Sequence, residues 1–182
     1  RTNMTPQPGD VIAVSGNGGI SKIIQRALRG PVSHVAVMAD ATTVVESTTL
    51  VEGQRGVFWR PLEALLADCE RDDTPAILLP IRRDGFRVAP FRTYLLSVMG
   101  RRYDWWQAWR SAIPPLPTRE SDRQLFCSEL VARAHEAAGL YQVNASDVSP
   151  MALCRFAIYA GEPVPLVGDR FVIKGYNTKP PY

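Results

Sequence analysis

The stretch QLFCSELVARAHEAAGL, residues 124–140, has the apolar spacing of a helix, with Cys127 in its first turn. The N-terminus of a helix stabilises a thiolate, and its first backbone N–H groups can bind an oxyanion. This position suits a cysteine nucleophile. The competing interpretation is that Cys127 is a small core residue, the commoner role of a cysteine on an apolar helix.

A cysteine nucleophile also needs a base and a group that orients the base. His135 lies about two helical turns beyond Cys127, so it cannot reach the thiol, and we expect it at the surface or half-buried. His34 lies in the strand-like segment VSHVAVM, and Glu46 lies in the next one, VVES. A short hairpin would place both side chains on one face of a sheet. We therefore predict Cys127 as nucleophile, His34 as base and Glu46 as orienting residue, although each residue alone fits a structural role.

The other candidate motifs carry less chemistry. Cys69 falls in the charged segment ADCERDD, so we expect it to be incidental. Cys154 falls in the apolar segment ALCRFAI, so we expect it to be a core residue. The histidines and cysteines lack the ligand spacing of a zinc site, and we predict neither a metal nor a cofactor. The glycine-rich GNGGIS, residues 16–21, lacks the spacing of a phosphate-binding loop, and we expect a loop beside a cleft.

Hydrophobic periodicity and turn residues predict an α+β fold, with a mostly antiparallel sheet in the first half of the chain and helices packed on it. The predicted strands cover 9–16, 33–40, 42–48, 56–60, 75–82 and 169–176. The predicted helices cover 21–30, 61–70, 89–100, 104–113, 125–138 and 149–161. The proline-rich segment 114–123 is predicted to be a surface loop rather than a linker between domains.

Composition excludes several classes of protein. The chain has 182 residues, a length that fits one domain, and its net charge of +3 without a dense Lys/Arg run predicts no nucleic-acid partner. The sequence has no run of about 18 apolar residues, so no transmembrane segment is predicted, and no signal peptide is visible. Three cysteines leave at least one thiol free, which favours a reducing compartment or a secreted enzyme with a working thiol. Compartment and oligomeric state are not assigned by the sequence.

The order of these motifs resembles a known family. PGDVIAV, VSHVAVM, VVES and FCSELVARAHEAAG resemble the opening strand, histidine strand, third-residue strand and cysteine helix of the circularly permuted NlpC-like, papain-fold cysteine hydrolases, particularly the YiiX/YebB-like branch. GRRYDWW (100–106) and VSPMAL resemble the segments on either side of that helix. The layout is also similar to the lecithin:retinol acyltransferase group. The likeness covers about residues 8–160, with the histidine before the cysteine, as in the permuted form.

The resemblance implies a single permuted NlpC-like domain over 1–182, with a papain-like fold and a catalytic triad of Cys127, His34 and Glu46. It implies further that Tyr103 and Ser128 help to bind the substrate or the oxyanion. The tryptophan-rich DWWQAW and the loop PPLPTRESDR depart from the family pattern.

The implied function is that of a cysteine peptidase or amidase, which cleaves an amide or isopeptide bond, with peptidoglycan peptides as one candidate substrate. One alternative is an acyltransferase or thioesterase of related fold that acts on a lipid, for which IPPLP (113–117) is the apolar candidate near the cleft. Another is a non-catalytic binding or structural module of a phage or cell envelope. The expected partners are a peptide, a peptidoglycan fragment or an acyl lipid.

Overall fold

The structure is a computed structural model that describes residues 5–18, 21–22, 25–26, 29–48, 56–101 and 126–181. Its described part is an α+β fold with one sheet of six strands. The strands are β1 (Val11–Val14), β2 (His34–Met38), β3 (Thr43–Thr48), β4 (Gly56–Pro61), β5 (Ala76–Leu79) and β6 (Val164–Val167). Their order across the sheet is β4-β3-β2-β1-β5-β6, and every neighbouring pair is antiparallel.

Four α-helices lie in the described part of the chain. They are α1 (Leu62–Arg71), α2 (Val88–Val98), α3 (Cys127–Ala138) and α4 (Pro150–Arg155), and a short 3-10 helix spans Ala145–Asp147. The predicted helix over 149–161 is correct in its start, since Ser149 accepts a hydrogen bond from the N–H of Ala152 at 3.1 Å. It is wrong in its length, because the backbone turns to an extended conformation at Phe156.

The sheet has two apolar faces, because side chains along each strand alternate between them. One face, which includes Val35, Val37 and Val45, belongs to the same core cluster as buried residues of α2, α3 and α4. The other face, which includes Ala36 and Val44, packs against Leu65 and Cys69 of α1. This packing determines where the first residue of α3 lies relative to His34, the first residue of β2.

The strand predicted over 169–176 is wrong, and the sixth strand is Val164–Val167 instead. Pro165 makes this strand hard to predict from the sequence, because a proline cannot donate a hydrogen bond to a neighbouring strand. The strand lies at the edge of the sheet beside β5, where one side of its backbone has no strand to bond.

Some predictions lie outside the described residues. They concern Tyr103, the helix over 104–113 with its tryptophans, and the loop over 114–123. The structure describes only parts of the predicted helix over 21–30. Residues 21–22 and 25–26 in those parts are helical. Within the described ranges, no helix has the length and apolar character needed to cross a membrane.

Candidate active site

Glu46 and His34 are neighbours on the sheet face that packs against α1. The pairing of β2 with β3 places Met38 opposite Val44 and Val37 opposite Val45. Extending this register makes His34 and Glu46 diagonal neighbours, within reach of long side chains. The imidazole Nε2 of His34 lies 2.8 Å from Oε2 of Glu46. The hairpin predicted from the sequence therefore brings this pair together.

Cys127 is the first residue of α3, the helix whose N-terminus lies close to His34. Phe126 is the N-cap residue, and its carbonyl accepts the first helical hydrogen bond, from Leu130 N–H at 2.9 Å. Phe126 also has no side-chain oxygen to cap the helix. The first-turn N–H groups of α3 have no partner within the helix, so this end is suited to an anion.

The thiol of Cys127 lies close enough to the imidazole of His34 to raise the pKa of that ring. Since Nε2 of His34 is bound to Glu46, the ring nitrogen left for the thiol is Nδ1. Burial alone would lower the pKa of His34, but the hydrogen bonds and charges of Cys127 and Glu46 outweigh it and raise that pKa to about 10. At neutral pH the ring is therefore an imidazolium between two anionic or polar partners.

Glu46 has a second partner, Arg60, which the sequence analysis did not single out. Arg60 Nη1 donates to Oε1 of Glu46 at 3.0 Å, and Arg60 Nη2 donates to Oδ2 of Asp68 at 2.6 Å. Burial opposes the charge of Glu46, but the hydrogen bonds and charges of His34 and Arg60 hold its pKa below the ordinary value. The carboxylate is therefore ionised and held from both sides.

A cavity of about 680 Å³ adjoins the site, and His34, Glu46, Arg60 and Asp68 are among its lining residues. It lies on the α1 side of the sheet, since Leu65 of α1 also lines it. The thiol is on the other side of the imidazole: Cys127 belongs to the α2–α4 core cluster and is 1% exposed. Cys127 is not among the described residues that line this cavity.

Two polar residues that follow Cys127 bind other parts of the protein. The hydroxyl of Ser128 is buried and donates to the carbonyl of Val148. The Ser128 hydroxyl is therefore bonded within the protein, and a role of Ser128 in binding substrate or oxyanion stays a prediction. The carboxylate of Glu129 accepts from Arg133 Nε at 3.0 Å. Tyr103, the other predicted substrate-binding residue, lies outside the described residues.

The other thiols are poor nucleophiles at neutral pH. Burial, with a smaller contribution from the charge of Glu46, raises the pKa of Cys69 to about 11, and burial raises that of Cys154 to about 12. Cys154 is a core residue, as predicted. Cys69 is not merely incidental, since it packs between α1 and the sheet and lines the cavity.

His135 is fully buried, which corrects the prediction of a surface or half-buried residue. Its Nε2 donates to the carbonyl of Gly9 at 2.8 Å, so Nδ1 is left to accept from the hydroxyl of Tyr141 at 3.1 Å. Burial lowers the pKa of His135 to about 4, so the ring is neutral at pH 7. This histidine therefore fastens α3 to the segment that leads into β1.

We expect His135→Gln to lower the free energy of unfolding at pH 7 by about 1–3 kcal/mol, because it disturbs two buried hydrogen bonds. It should also flatten the acid dependence of stability. The pKa of His135 is near 4 in the folded state and about 6.5 in the unfolded state. This difference stabilises the folded state above pH 6.5. The stabilisation is lost as pH falls, and the loss reaches about 3 kcal/mol at pH 4. Urea unfolding of both proteins between pH 7 and pH 4 measures this difference, and parallel pH dependences would contradict it.

Comparison with solved structures finds a likeness in fold. The crystal structure of the metalloprotein yiiX from Escherichia coli O157:H7, described as DUF1105, superposes with a TM-score of 0.57 over 77% of this chain and 70% of that chain. The chain shares the fold of YiiX. Its sequence is 22% identical to YiiX, so the likeness concerns the fold alone. No protein-family model and no curated protein matches the sequence.

Proposed function

We propose that this chain is a cysteine hydrolase of the permuted NlpC-like, papain-like type, a peptidase or amidase that cleaves an amide or isopeptide bond. The observation that carries the proposal is the arrangement around His34, whose Nε2 binds Glu46 at 2.8 Å and whose ring has Cys127 as a close partner. Its three members come from a helix N-terminus and two adjacent strands. The fold of YiiX and the order of histidine before cysteine also agree with the proposal. Peptidoglycan peptides are one candidate class of substrate.

In the acylation step, the thiolate of Cys127 attacks the carbonyl carbon and forms a C–S bond. The carbonyl oxygen becomes an oxyanion, which the first-turn N–H groups of α3 are oriented to stabilise. The imidazolium of His34 gives its Nδ1 proton to the leaving nitrogen as the C–N bond breaks. The products are a free amine, a thioester on Cys127 and a neutral imidazole that remains bound to Glu46.

In the deacylation step, His34 takes a proton from water, and the resulting hydroxide adds to the thioester carbon. The C–S bond then breaks, which releases the carboxylic acid and restores the thiolate and the imidazolium. Glu46 keeps Nε2 of the ring engaged throughout, so Nδ1 faces the sulfur in both steps. The cycle needs water as its only co-reactant.

YiiX is described as a metalloprotein, which raises the question of a metal in this chain. Within the described ranges, no three His, Cys, Asp or Glu side chains are grouped as metal ligands would be. Moreover, His34 uses one ring nitrogen for Glu46 and the other for Cys127. The described residues do not fit a metal site, and the proposed mechanism has no step through a metal.

Selective alkylation tests the nucleophile without knowledge of the substrate. We expect iodoacetamide at pH 7 to label Cys127 about tenfold faster or more than Cys69 or Cys154, because only Cys127 has an imidazolium partner. Peptide mass spectrometry after timed labelling gives the three rates. Equal rates for the three thiols would favour the non-catalytic binding module and would overturn the hydrolase proposal.

The substrate class is tested by intact-protein mass spectrometry of the wild type and Cys127→Ala. Each is incubated with muropeptides and, separately, with phosphatidylcholine vesicles. An acyl adduct or cleavage products with muropeptides, only on the wild type, supports a peptidase or amidase. An adduct of fatty-acyl mass would instead favour the acyltransferase or thioesterase. The segment 113–117, considered for lipid contact, lies outside the described residues.

A further inference from the structure

We propose that Arg60 is a positioning residue of this site, which acts on His34 through Glu46. The inference rests on the proposed function and extends the predicted triad by one residue. Arg60 has no contact with the thiol or the imidazole in the described hydrogen bonds; its effect passes through the carboxylate.

The sheet register places Arg60 where it can hold Glu46. In the pairing of β3 with β4, Arg60 is opposite Val44 and Glu46 is opposite Phe58. Arg60 and Glu46 are therefore diagonal neighbours on one sheet face, as Glu46 and His34 are across β2 and β3. Each carboxylate oxygen of Glu46 has a different partner: Oε1 takes Arg60 Nη1 at 3.0 Å, and Oε2 takes His34 Nε2 at 2.8 Å. The carboxylate cannot rotate without the loss of one of these bonds.

Burial makes the contact with Arg60 important for the charge of Glu46. The side chain of Glu46 is 3% exposed and that of Arg60 is 12% exposed, so water screens the pair weakly. Charges alternate in sign from the imidazolium of His34 through Glu46 and Arg60 to Asp68. Without Arg60, Glu46 would keep His34 as its one cationic partner among the described hydrogen bonds.

Arg60 is itself fixed in place, as a positioning residue requires. Its other nitrogen, Nη2, donates to Oδ2 of Asp68 at 2.6 Å, and Asp68 also accepts from Arg71 at 2.7 Å. The guanidinium is thus held between strand β4 and helix α1. Among the described residues, the titratable and charged groups that act on Glu46 are His34 on β2, Arg60 on β4 and Cys69 on α1, and Asp68 on α1 acts through Arg60.

The experiment compares Arg60→Gln, Arg60→Lys and wild type in hydrolysis of p-nitrophenyl acetate across pH. We expect Arg60→Gln to lower kcat about 10- to 100-fold with little change in KM, because a displaced imidazole transfers protons poorly. We also expect the acid limb of its pH profile to move up by about one pH unit, because Glu46 loses a cation that favours its ionised form. Arg60→Lys keeps the charge and should keep the acid limb of the wild type.

The matched control is Arg83→Gln. Arg83 also binds a buried carboxylate, that of Asp10, but Asp10 precedes β1 at the opposite end of the sheet from His34. This variant should lose stability in thermal unfolding, as Arg60→Gln does, but should keep the pH profile and the kcat of the wild type. If Arg60→Gln and Arg83→Gln have the same pH profile, Arg60 has only a structural role and the inference is overturned.

The outcome for Arg60 can be separated from the outcome for the proposed function. If Cys127→Ala hydrolyses the ester as fast as wild type, the hydrolase proposal itself fails. If Cys127→Ala is inactive and Arg60→Gln retains both the rate and the pH profile of wild type, only the role of Arg60 fails.

Discussion

Cys127→Ala is expected to abolish hydrolysis, with a loss in kcat/KM of roughly 10⁴-fold or more, as for other enzymes whose nucleophile is removed. The variant keeps the fold, because alanine occupies the space of Cβ in a residue that is 1% exposed and lies at the first position of α3. The measurement is the rate of p-nitrophenol release from p-nitrophenyl acetate together with the mass of the intact protein. Wild type should show an acetyl adduct during turnover, and the variant should show none.

Cys154→Ala is the matched control for this substitution. Cys154 is a buried thiol in the same core cluster as Cys127, but it has no imidazole partner among its described interactions, and burial raises its pKa to about 12. The control should lose stability through a small cavity and retain the rate. A Cys127→Ala protein that still forms the acetyl adduct would show that another group is the nucleophile.

The pairing of His34 with Glu46 and the place of Cys127 at a helix N-terminus could be foreseen because both depend on local rules. A strand alternates its side chains, a short hairpin sets two strands side by side, and a helix N-terminus attracts an anion. These rules need only the order of residues in each segment. They do not tell which strand the helix of Cys127 packs against, because that helix is far from the strands in the sequence. The resemblance to a known family supplied this contact.

Arg60 could not be foreseen in the same way. An arginine in the strand-like segment GVFWR is typical of a solvent-facing position, and its contact with Glu46 depends on the register between β3 and β4. Register is a tertiary property, because a shift by one residue moves every side chain to the other face. One feature of the sequence could have suggested the contact between Arg60 and Glu46. If both hairpins are tight, the alternation of side chains places Glu46 and Arg60 on the same sheet face as His34.

The surroundings of Ser128 and His135 could not be foreseen for a different reason. Both lie on α3, and adjacency to Cys127 in the sequence does not tell which side of a helix a residue occupies. Successive residues on a helix point in directions about 100° apart, so Ser128 is turned towards Val148 rather than towards the imidazole. His135 is polar, but the carbonyl of Gly9 and the hydroxyl of Tyr141 satisfy both of its nitrogens inside the core.

The two histidines show how environment separates two identical side chains. His135 is fully buried and the side chain of His34 is 17% exposed, and burial favours the neutral ring in both. His135 has only neutral partners, so burial dominates and its pKa falls to about 4. His34 has an acidic partner on either side, so their hydrogen bonds and charges dominate and its pKa rises to about 10. Environment thus leaves His135 neutral in the core and His34 protonated beside Cys127 and Glu46.

His34→Ala is expected to reduce kcat/KM for p-nitrophenyl acetate by roughly 10⁴-fold, because it removes the base and the proton donor together. It should also slow alkylation of Cys127 by iodoacetamide at pH 7, since a thiol without an imidazolium partner is mostly protonated at that pH. Alkylation of Cys69 and Cys154 should not change. His135→Ala, by contrast, should lose stability without this selective effect on Cys127.

The pH dependence of the wild type separates the two roles of His34. Because its pKa is raised to about 10, the imidazolium persists from neutral pH up to about pH 10 and is lost above it. Hydrolysis of an amide substrate needs that proton for the leaving nitrogen, so its rate should fall above pH 10. Alkylation needs only the thiolate, so its rate should not fall there. If amide hydrolysis and alkylation show the same alkaline limb, His34 does not act as the general acid, and the mechanism proposed for this site is wrong.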